Sequence, residues 1–547
     1  MGLGISRPRP RPTEPTFHGV VDAAVGVPVT VPVIDGVAPG EANAPATTNV
    51  QAHDEANAPA TDVSAAPLTL TISAEKTALS SDAEHTLLTM LSLKAPPAPV
   101  EVQRPPIDLV AVIDRSGSMG GEKMNLMKQT LELLVKRGGL NEGDRISLVS
   151  FDREVKLELP LTPMDAPGRT SAEAVVKRLQ PGSTTNLSGG ALKAIDVLDA
   201  SAEPRGIFGG GAGKGGRTRA IMLFTDGLAN EGIKHPAALQ AAVASAASAA
   251  AAKLGGPISL FTFGFGRDHN ENCLRELATT ISAGGLYYYV KSVEDIPNAF
   301  ADCLGGLTSV VAQNATLSLE PTGAGVSVVR VLGSTYKRDA SGAIALGDLF
   351  AEDQKDILVE IKLPKLQRAV EPGAAAPVLR AALRAFNVVR GAPEVAEAVL
   401  EIGRPATTPA DQPFNEALDA QRNRILVAEA IEDAARLADA GELVAGRQRL
   451  EACRTLVAES GSADNALSYN LQTEVATLSS NYRTVSQYRS VGSKMSKMSA
   501  TSHQRQRANH SQVDMYGGGA KRKAAMKASW LSSISSSGAG GNDSDSD

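Results

Sequence analysis

Between residues 106 and 305 the chain alternates short apolar runs with stretches of helical period. Leu109 to Ile113 and Ala220 to Phe224 are uninterrupted apolar runs, and Ile258 to Gly264 is read as a strand beside them. That pattern belongs to strands buried on both faces, as in parallel sheets. Arg145 to Phe151 and Leu286 to Val290 are read as further strands. Between them Met124, Met127, Leu131, Leu134 and Val135 recur at helical spacing. Helices are also predicted over Ser171 to Leu179, Ser188 to Leu198, Ala237 to Lys253, Asn272 to Thr280 and Glu294 to Leu304. The alternation predicts an α/β fold with a doubly wound, mostly parallel sheet.

The flanks carry a different period. Leu68, Leu70 and Ile72 alternate with polar residues, and Leu87, Leu91 and Leu93 share one face of a second run. Strand-like runs return at Thr316 to Leu319, Val326 to Leu332 and Ile357 to Ile361. Residues 67–99 and 308–390 are therefore expected to be two parts of one β-sandwich, with the α/β domain of 106–305 inserted between them. Residues 412–482 form a helical region, with Leu418, Ile425, Ala428, Ile431 and Ala435 along one face. Arg422 and Arg424 are read there as charges on a solvated face. Residues 1–66 are polar and low in complexity, with Glu-Ala-Asn-Ala-Pro-Ala-Thr at both 41–47 and 55–61. Residues 490–547 are rich in Ser, Met, Gln and Arg, then in Gly and Ser. Both ends are expected to be disordered.

The chemistry gathers where predicted strands end. The first strand runs into Asp114-Arg115-Ser116-Gly117-Ser118, one carboxylate and two hydroxyls on a tight turn. Oxygen donors of this kind suit a hard cation such as Mg²⁺. The bland alternative is a turn in which Asp114 and Ser116 cap the next helix. Two later segments favour the metal: the polar loop Gly182-Ser183-Thr184-Thr185-Asn186-Leu187, and Phe224-Thr225-Asp226-Gly227 after another buried strand. In doubly wound sheets such loops meet at one crevice.

Taken together, these segments strongly resemble the von Willebrand factor A domain and its metal-ion-dependent adhesion site. The family pattern is Asp-x-Ser-x-Ser, a loop threonine and an aspartate before glycine. It falls on Asp114, Ser116, Ser118, Thr185 and Asp226, an intact set. Thr185 is preferred to Thr184 because the family threonine usually precedes Asn-Leu or Asn-Ile. The resemblance implies a Mg²⁺ or Mn²⁺ site that binds a protein ligand through an acidic residue of that ligand. Phe263-Gly264-Phe265-Gly266 and Gly285-Leu286-Tyr287-Tyr288-Tyr289 resemble the intracellular members. The split sandwich is what similarity to A domains of the inter-α-trypsin-inhibitor heavy-chain type implies. Gln421-Arg422-Asn423-Arg424 and the helical region resemble Vwaint, a carboxyl-terminal companion of such domains. Ser499 to Arg507 resembles the tail that follows it. Some plant proteins of this architecture are RING-type ubiquitin ligases. Three scattered cysteines do not make a RING, which needs eight zinc ligands in paired spacing, so no ligase chemistry is carried over.

Composition narrows the classes further. A net charge of −6 over 547 residues gives no support to nucleic-acid binding by the chain as a whole. Cys273, Cys303 and Cys453 are far apart and odd in number, which points to a reducing compartment and a cytoplasmic protein. No apolar run reaches the ~18–20 residues that span a bilayer, and the first residues lack the core of a secretory signal. Met1-Gly2-Leu3-Gly4-Ile5-Ser6 does match an N-myristoylation pattern, with Gly2 as acceptor and Arg7, Arg9 and Arg11 as a second membrane signal. A membrane enters only if Gly2 is acylated. The glycine-rich stretch 209–216 is not a phosphate-binding loop, because Phe208 and Gly215 stand where glycine and Ser/Thr are required. Asp543, Asp545 and Asp547 could reach the crevice from the tail. The competing function is a Mg²⁺-dependent hydrolase with Asp114 as nucleophile. Ser116 stands where phosphotransferases of that kind carry a second aspartate, and no Ser-His-Asp or Cys-His grouping is evident. The sequence is therefore read as a binding protein and not an enzyme.

Overall fold

A computed structural model describes residues 66–507, apart from 98–103, 137–139, 203–216, 282–284, 292–294 and the single positions 337, 340 and 372. Gly2, the glycine-rich stretch 209–216 and the acidic residues 543–547 lie outside the described residues.

The chain opens with β1 (Thr69–Ala74) and β2 (His85–Lys94). The α/β domain follows: β3 (Ile107–Asp114), α1 (Glu122–Lys136), β4 (Arg145–Phe151), β5 (Val155–Pro163), α2 (Ala166–Arg178), α3 (Leu187–Asp199), β6 (Thr218–Thr225), α4 (Pro236–Leu254), β7 (Ile258–Phe265), α5 (Glu271–Ile281), β8 (Tyr287–Val290) and α6 (Ile296–Leu307). The strands lie in the order β5-β4-β3-β6-β7-β8. All neighbours are parallel except β5 against β4. Every residue of β3 is buried, which explains its lack of alternation. Ile107, Leu109, Ala111 and Ile113 face a core shared with α1 and α2, while Val110 and Val112 face one shared with α3, α4 and α5. The chain steps from β3 outward to β4 and later returns beside β3 as β6. The strand order therefore reverses between β3 and β6, where ligand crevices form.

Next come β9 (Val310–Pro321), β10 (Ser327–Val331), β11 (Ala343–Phe350), β12 (Gln354–Leu363), β13 (Ala375–Asn387) and β14 (Ala392–Gly403). β12 pairs along the whole of β2, Gln354 opposite Lys94 through Leu363 opposite His85. This gives one sheet, β1-β2-β12-β10, that draws on both sides of the insertion. The other sheet is β11-β9-β13-β14. Leu87, Leu91 and Leu93 of the first meet Leu317, Leu379 and Leu383 of the second in one core. The fold class is the expected one: a doubly wound α/β domain inserted in a β-sandwich, followed by helices. The sandwich reaches further than expected, since β14 pairs with β13 beyond residue 390. Its three glutamates, Glu394, Glu397 and Glu401, mask the strand in the sequence.

The helices are α7 (Glu416–Asp439), α8 (Leu443–Ala458), α9 (Ala466–Ser480), a short α10 (Val485–Gln487), a π turn (Tyr488–Gly492) and α11 (Ser493–Arg505). α11 corrects the expectation of a disordered tail from 490. Lys494, Lys497, His503, Arg505 and Arg507 are all buried. They are buried because they find partners in all three parts of the fold. Lys497 pairs with Glu271 of α5 and Asp439 of α7. Arg505 donates to the Gly285 carbonyl at 2.5 Å, and Arg507 lies 4.1 Å over the Phe350 ring of β11. Arg424 is likewise not solvated: it is 1% exposed and donates to the carbonyls of His503 at 2.5 Å and Asp356 at 3.0 Å.

One further expectation is corrected. Among the described residues α4 is long and apolar enough, by length and composition, to cross a membrane. In this fold Leu239, Val243, Ala247 and Ala250 form its buried face in the domain core.

Candidate metal centre

Asp114 ends β3 and Asp226 follows the last residue of β6, so the strand reversal sets the two carboxylates at one edge. Both are fully buried. Asp114 accepts the Ser116 backbone N–H at Oδ1 (2.7 Å) and the Thr225 hydroxyl at Oδ2 (2.5 Å). Burial pushes its carboxyl up to about 6, helped by the like charge of Asp226 and opposed by the bonds from Thr225 and Ser116.

Ser116 precedes a short 3₁₀ turn, Gly117–Met119, which Met119 anchors in the core. The turn brings Ser116 Oγ within 3.1 Å of Ser118 Oγ, and Ser118 donates to Asp226 Oδ1 at 2.8 Å. The other oxygen of Asp226 pairs with the Lys123 ammonium.

The threonine loop is stitched to this turn. Gly182 N–H donates to the Arg115 carbonyl (2.5 Å) and Gly117 N–H to the Ser183 carbonyl (2.8 Å). Arg115 in turn pairs with Asp152 at 2.9 Å. A Cβ on Gly182 would stand 2.0 Å from Asp152 Oδ2, so only glycine allows the loop to approach so closely. Asn186 caps α3 through the Gly189 N–H (3.0 Å). Thr185 precedes that cap, donates its N–H to Asn230 Oδ1 (2.6 Å) and accepts from Asn230 N–H (3.1 Å).

Gly227 shows where the hydroxyls converge. A Cβ there would sit 3.2 Å from Thr185 Oγ1 and 3.7 Å from Ser118 Oγ. Thr184 instead points its hydroxyl to Glu231 Oε1 at 3.4 Å. The structure thus brings Asp114, Ser116, Ser118, Thr185 and Asp226 together. Sequence reasoning missed Lys123, Thr225, Asn230 and Asp152. Thr225 adjoins Asp226, and Lys123 follows the serine turn within five residues of Ser118, so adjacency was the available signal. Among the described residues no group of three or more His, Cys, Asp or Glu side chains could hold a metal ion. The donor set here is different in kind: three hydroxyls and two carboxylates, oxygen throughout, as hard divalent cations require.

The pattern of the von Willebrand factor type A domain matches residues 108–302. The E3 ubiquitin-protein ligase WAV3 of Arabidopsis thaliana is 27% identical over 380 residues, 66% of this chain and 44% of that protein. Inter-alpha-trypsin inhibitor heavy chain H4 of Homo sapiens is 32% identical over 191 residues, 35% of this chain and 19% of that one. A solved von Willebrand factor type A structure from Catenulispora acidiphila covers 77% of this chain and 98% of its own, with a TM-score of 0.55 at 16% identity, which shows the fold. The chain spans less than half the length of these two curated relatives. The expectation that the chain is not an enzyme is overturned: WAV3 and two further Arabidopsis thaliana relatives, WAVH1 and WAVH2, bear the names of E3 ubiquitin-protein ligases, which are enzymes.

Proposed function

We propose that the von Willebrand factor type A domain this chain carries at residues 108–302 binds a protein partner through a divalent cation, Mg²⁺ or Mn²⁺. The observation that carries the reading is the convergence of the Thr185 and Ser118 hydroxyls on Gly227, with Asp114 and Asp226 buried behind them. Ser116, Ser118 and Thr185 would hold the ion through neutral oxygens. Asp114 and Asp226 would balance its charge. Bound there, the cation supplies an open position for a carboxylate of the partner. Neutral hydroxyls withdraw little of the ion's charge, which suits the site to ligation and not to storage. Thr225, Ser116 N–H and Lys123 fix the carboxylates in place, and the Asn230 clamp fixes Thr185.

The hydrolase reading is less well supported. Both oxygens of Asp114 are already engaged, and the side chain is fully buried, a poor position for a nucleophile.

The relatives are named as ligases that act on proteins, and for this chain's domain we assign the recruitment of a protein partner. The helical region 412–482 is read as its Vwaint-like companion. A cytoplasmic setting is supported by the three cysteines, Cys273, Cys303 and Cys453, which are far apart in the chain and all buried. Membrane attachment rests on acylation of Gly2. Isothermal titration of the full chain with Mg²⁺ tests the site. Asp114→Ala and Asp226→Ala should each abolish binding and leave the fold intact. Wild-type affinity in both variants would refute the assignment.

A further inference from the structure

Asp226 is fully buried, and a buried carboxylate needs a counter-charge. Its oxygens are divided between two partners. Ser118 takes Oδ1 at 2.8 Å, and the Lys123 ammonium takes Oδ2. Lys123 sits in the first turn of α1, and its side chain is 32% exposed. From there it reaches Asp226. It also lies against Gly266, in the loop between β7 and α5. A Cβ at Gly266 would be 3.5 Å from Lys123 Cε and 3.8 Å from its Nζ, and Gly266 has φ +67°. Three loops at the carboxyl edge of the sheet therefore meet on this one side chain: those after β3, β6 and β7.

We propose that Lys123 is the resident counter-charge of the metal site and sets how tightly the site takes a cation. The inference rests on the metal reading above. Two carboxylates and one ammonium leave the empty crevice with a single negative charge. A divalent ion then brings it to a net positive charge, which the carboxylate of a partner cancels. Without Lys123 the two aspartates alone would neutralise the ion. Lys123 thus weakens binding of the bare cation and makes the loaded site demand an anionic ligand. The same side chain ties cation binding to the position of α1, from which it reaches Asp226.

The test uses the full chain and Mg²⁺ alone, by isothermal titration at fixed ionic strength. Lys123→Met and Lys123→Gln should each tighten Mg²⁺ binding by about tenfold or more, since a like charge next to the ion is removed. Lys123→Arg keeps the charge and should stay within about threefold of wild type. Thermal melts of all variants report whether the fold is kept. If Asp226→Ala abolishes binding but both neutral variants bind as wild type does, or more weakly, Lys123 is no competitor and the proposal falls alone. If neither the wild type nor the neutral variants bind Mg²⁺, the metal reading fails and takes this proposal with it.

Discussion

Arg424 offers the sharpest perturbation of how the parts of the chain are held together. It lies on α7, 1% exposed, and its guanidinium donates to acceptors on α7, α11 and β12. Nε reaches Gln421 Oε1 at 2.5 Å, within the same helix. The other two nitrogens reach the carbonyl of His503 on α11 at 2.5 Å and that of Asp356 on β12 at 3.0 Å. One side chain thus joins the helical region, the closing helix and the sandwich. Arg424→Met keeps an apolar stem of similar length but leaves both carbonyls without these donors. A hydrogen bond to a charged group contributes about 1.5–3 kcal/mol, so the loss should be about 3–5 kcal/mol. In urea that lowers the unfolding midpoint by roughly 1 M or more for slopes up to about 3 kcal/mol/M. Hydrogen exchange adds a local reading: amides of 493–505 should lose protection in the variant, because α11 loses one of its ties. Arg424→Lys keeps the charge without the planar fork and should fall between the two. A midpoint for Arg424→Met within about 0.2 M of wild type, with unchanged exchange in α11, would refute the reasoning.

Three further outcomes are expected. Thr185→Ala should weaken Mg²⁺ binding in a calorimetric titration while Thr184→Ala leaves it nearly unchanged; a larger effect from Thr184 would reassign the loop ligand. A Cβ on Gly190 would stand 2.6 Å from the Phe151 ring, so Gly190→Ala should cost about 1–3 kcal/mol and lower the melting temperature, and an unchanged melt would show that the ring can yield. Acid should loosen the contact between α5 and α11 in two stages. Burial, then Lys494, push His269 down to about 4. For Glu271 burial acts upward, but the Ser493 hydroxyl and the ammoniums of Lys497 and Lys494 outweigh it and hold the carboxyl at about 2. Both values lie below those of the unfolded chain. Their stabilisation is therefore complete above the unfolded values and is lost as pH falls, from about 6.5 to 4 for His269 and from about 4.5 to 2 for Glu271. Asp114 and Asp348, each raised to about 6 by burial, act in the opposite sense, so the melts belong in an Asp114→Asn, Asp348→Asn background. A flat melting temperature from pH 7 to pH 3 there would contradict both assignments.

The sheet and the five candidate ligands were legible because their signals are local. A strand buried on both faces shows as an apolar run, and a ligand set at strand ends shows as polar residues straight after it. Lys123 was overlooked although it follows the serine turn closely, because adjacency alone does not reveal that its partner, Asp226, stands 103 positions away. Arg424 was misread by chemistry against spacing. It stands one turn before Ala428 on the buried stripe, and its charge suggested solvent. The closing helix was missed for the same reason on a larger scale. Ser, Lys, Gln and Arg give no apolar period, and their burial depends on acceptors such as Asp348 and Asp356, 150 or more residues earlier.

The way the α/β domain is inserted bears on what its crevice can do. The chain enters the sheet through Arg104, which pairs with Asp144, while Asp144 Oδ1 accepts the Ile107 N–H at 2.7 Å. Asp108, at the same end of β3, is fully buried and holds both Arg145 and Arg217 at 2.7 Å. The exit lies nearby: Gln313 of β9, just past the domain, reaches Thr218 at the start of β6 at 3.4 Å. All these ties are at the amino ends of the parallel strands. Asp114, Ser118, Thr185 and Asp226 are at the carboxyl ends, a full strand length away. β3 has eight residues at ~3.3 Å each, so roughly 25 Å separates the anchored edge from the candidate ligands. The insertion therefore fastens the domain to the sandwich by the edge opposite its crevice. Ser118 stays exposed at that far edge, so the sandwich does not cover it.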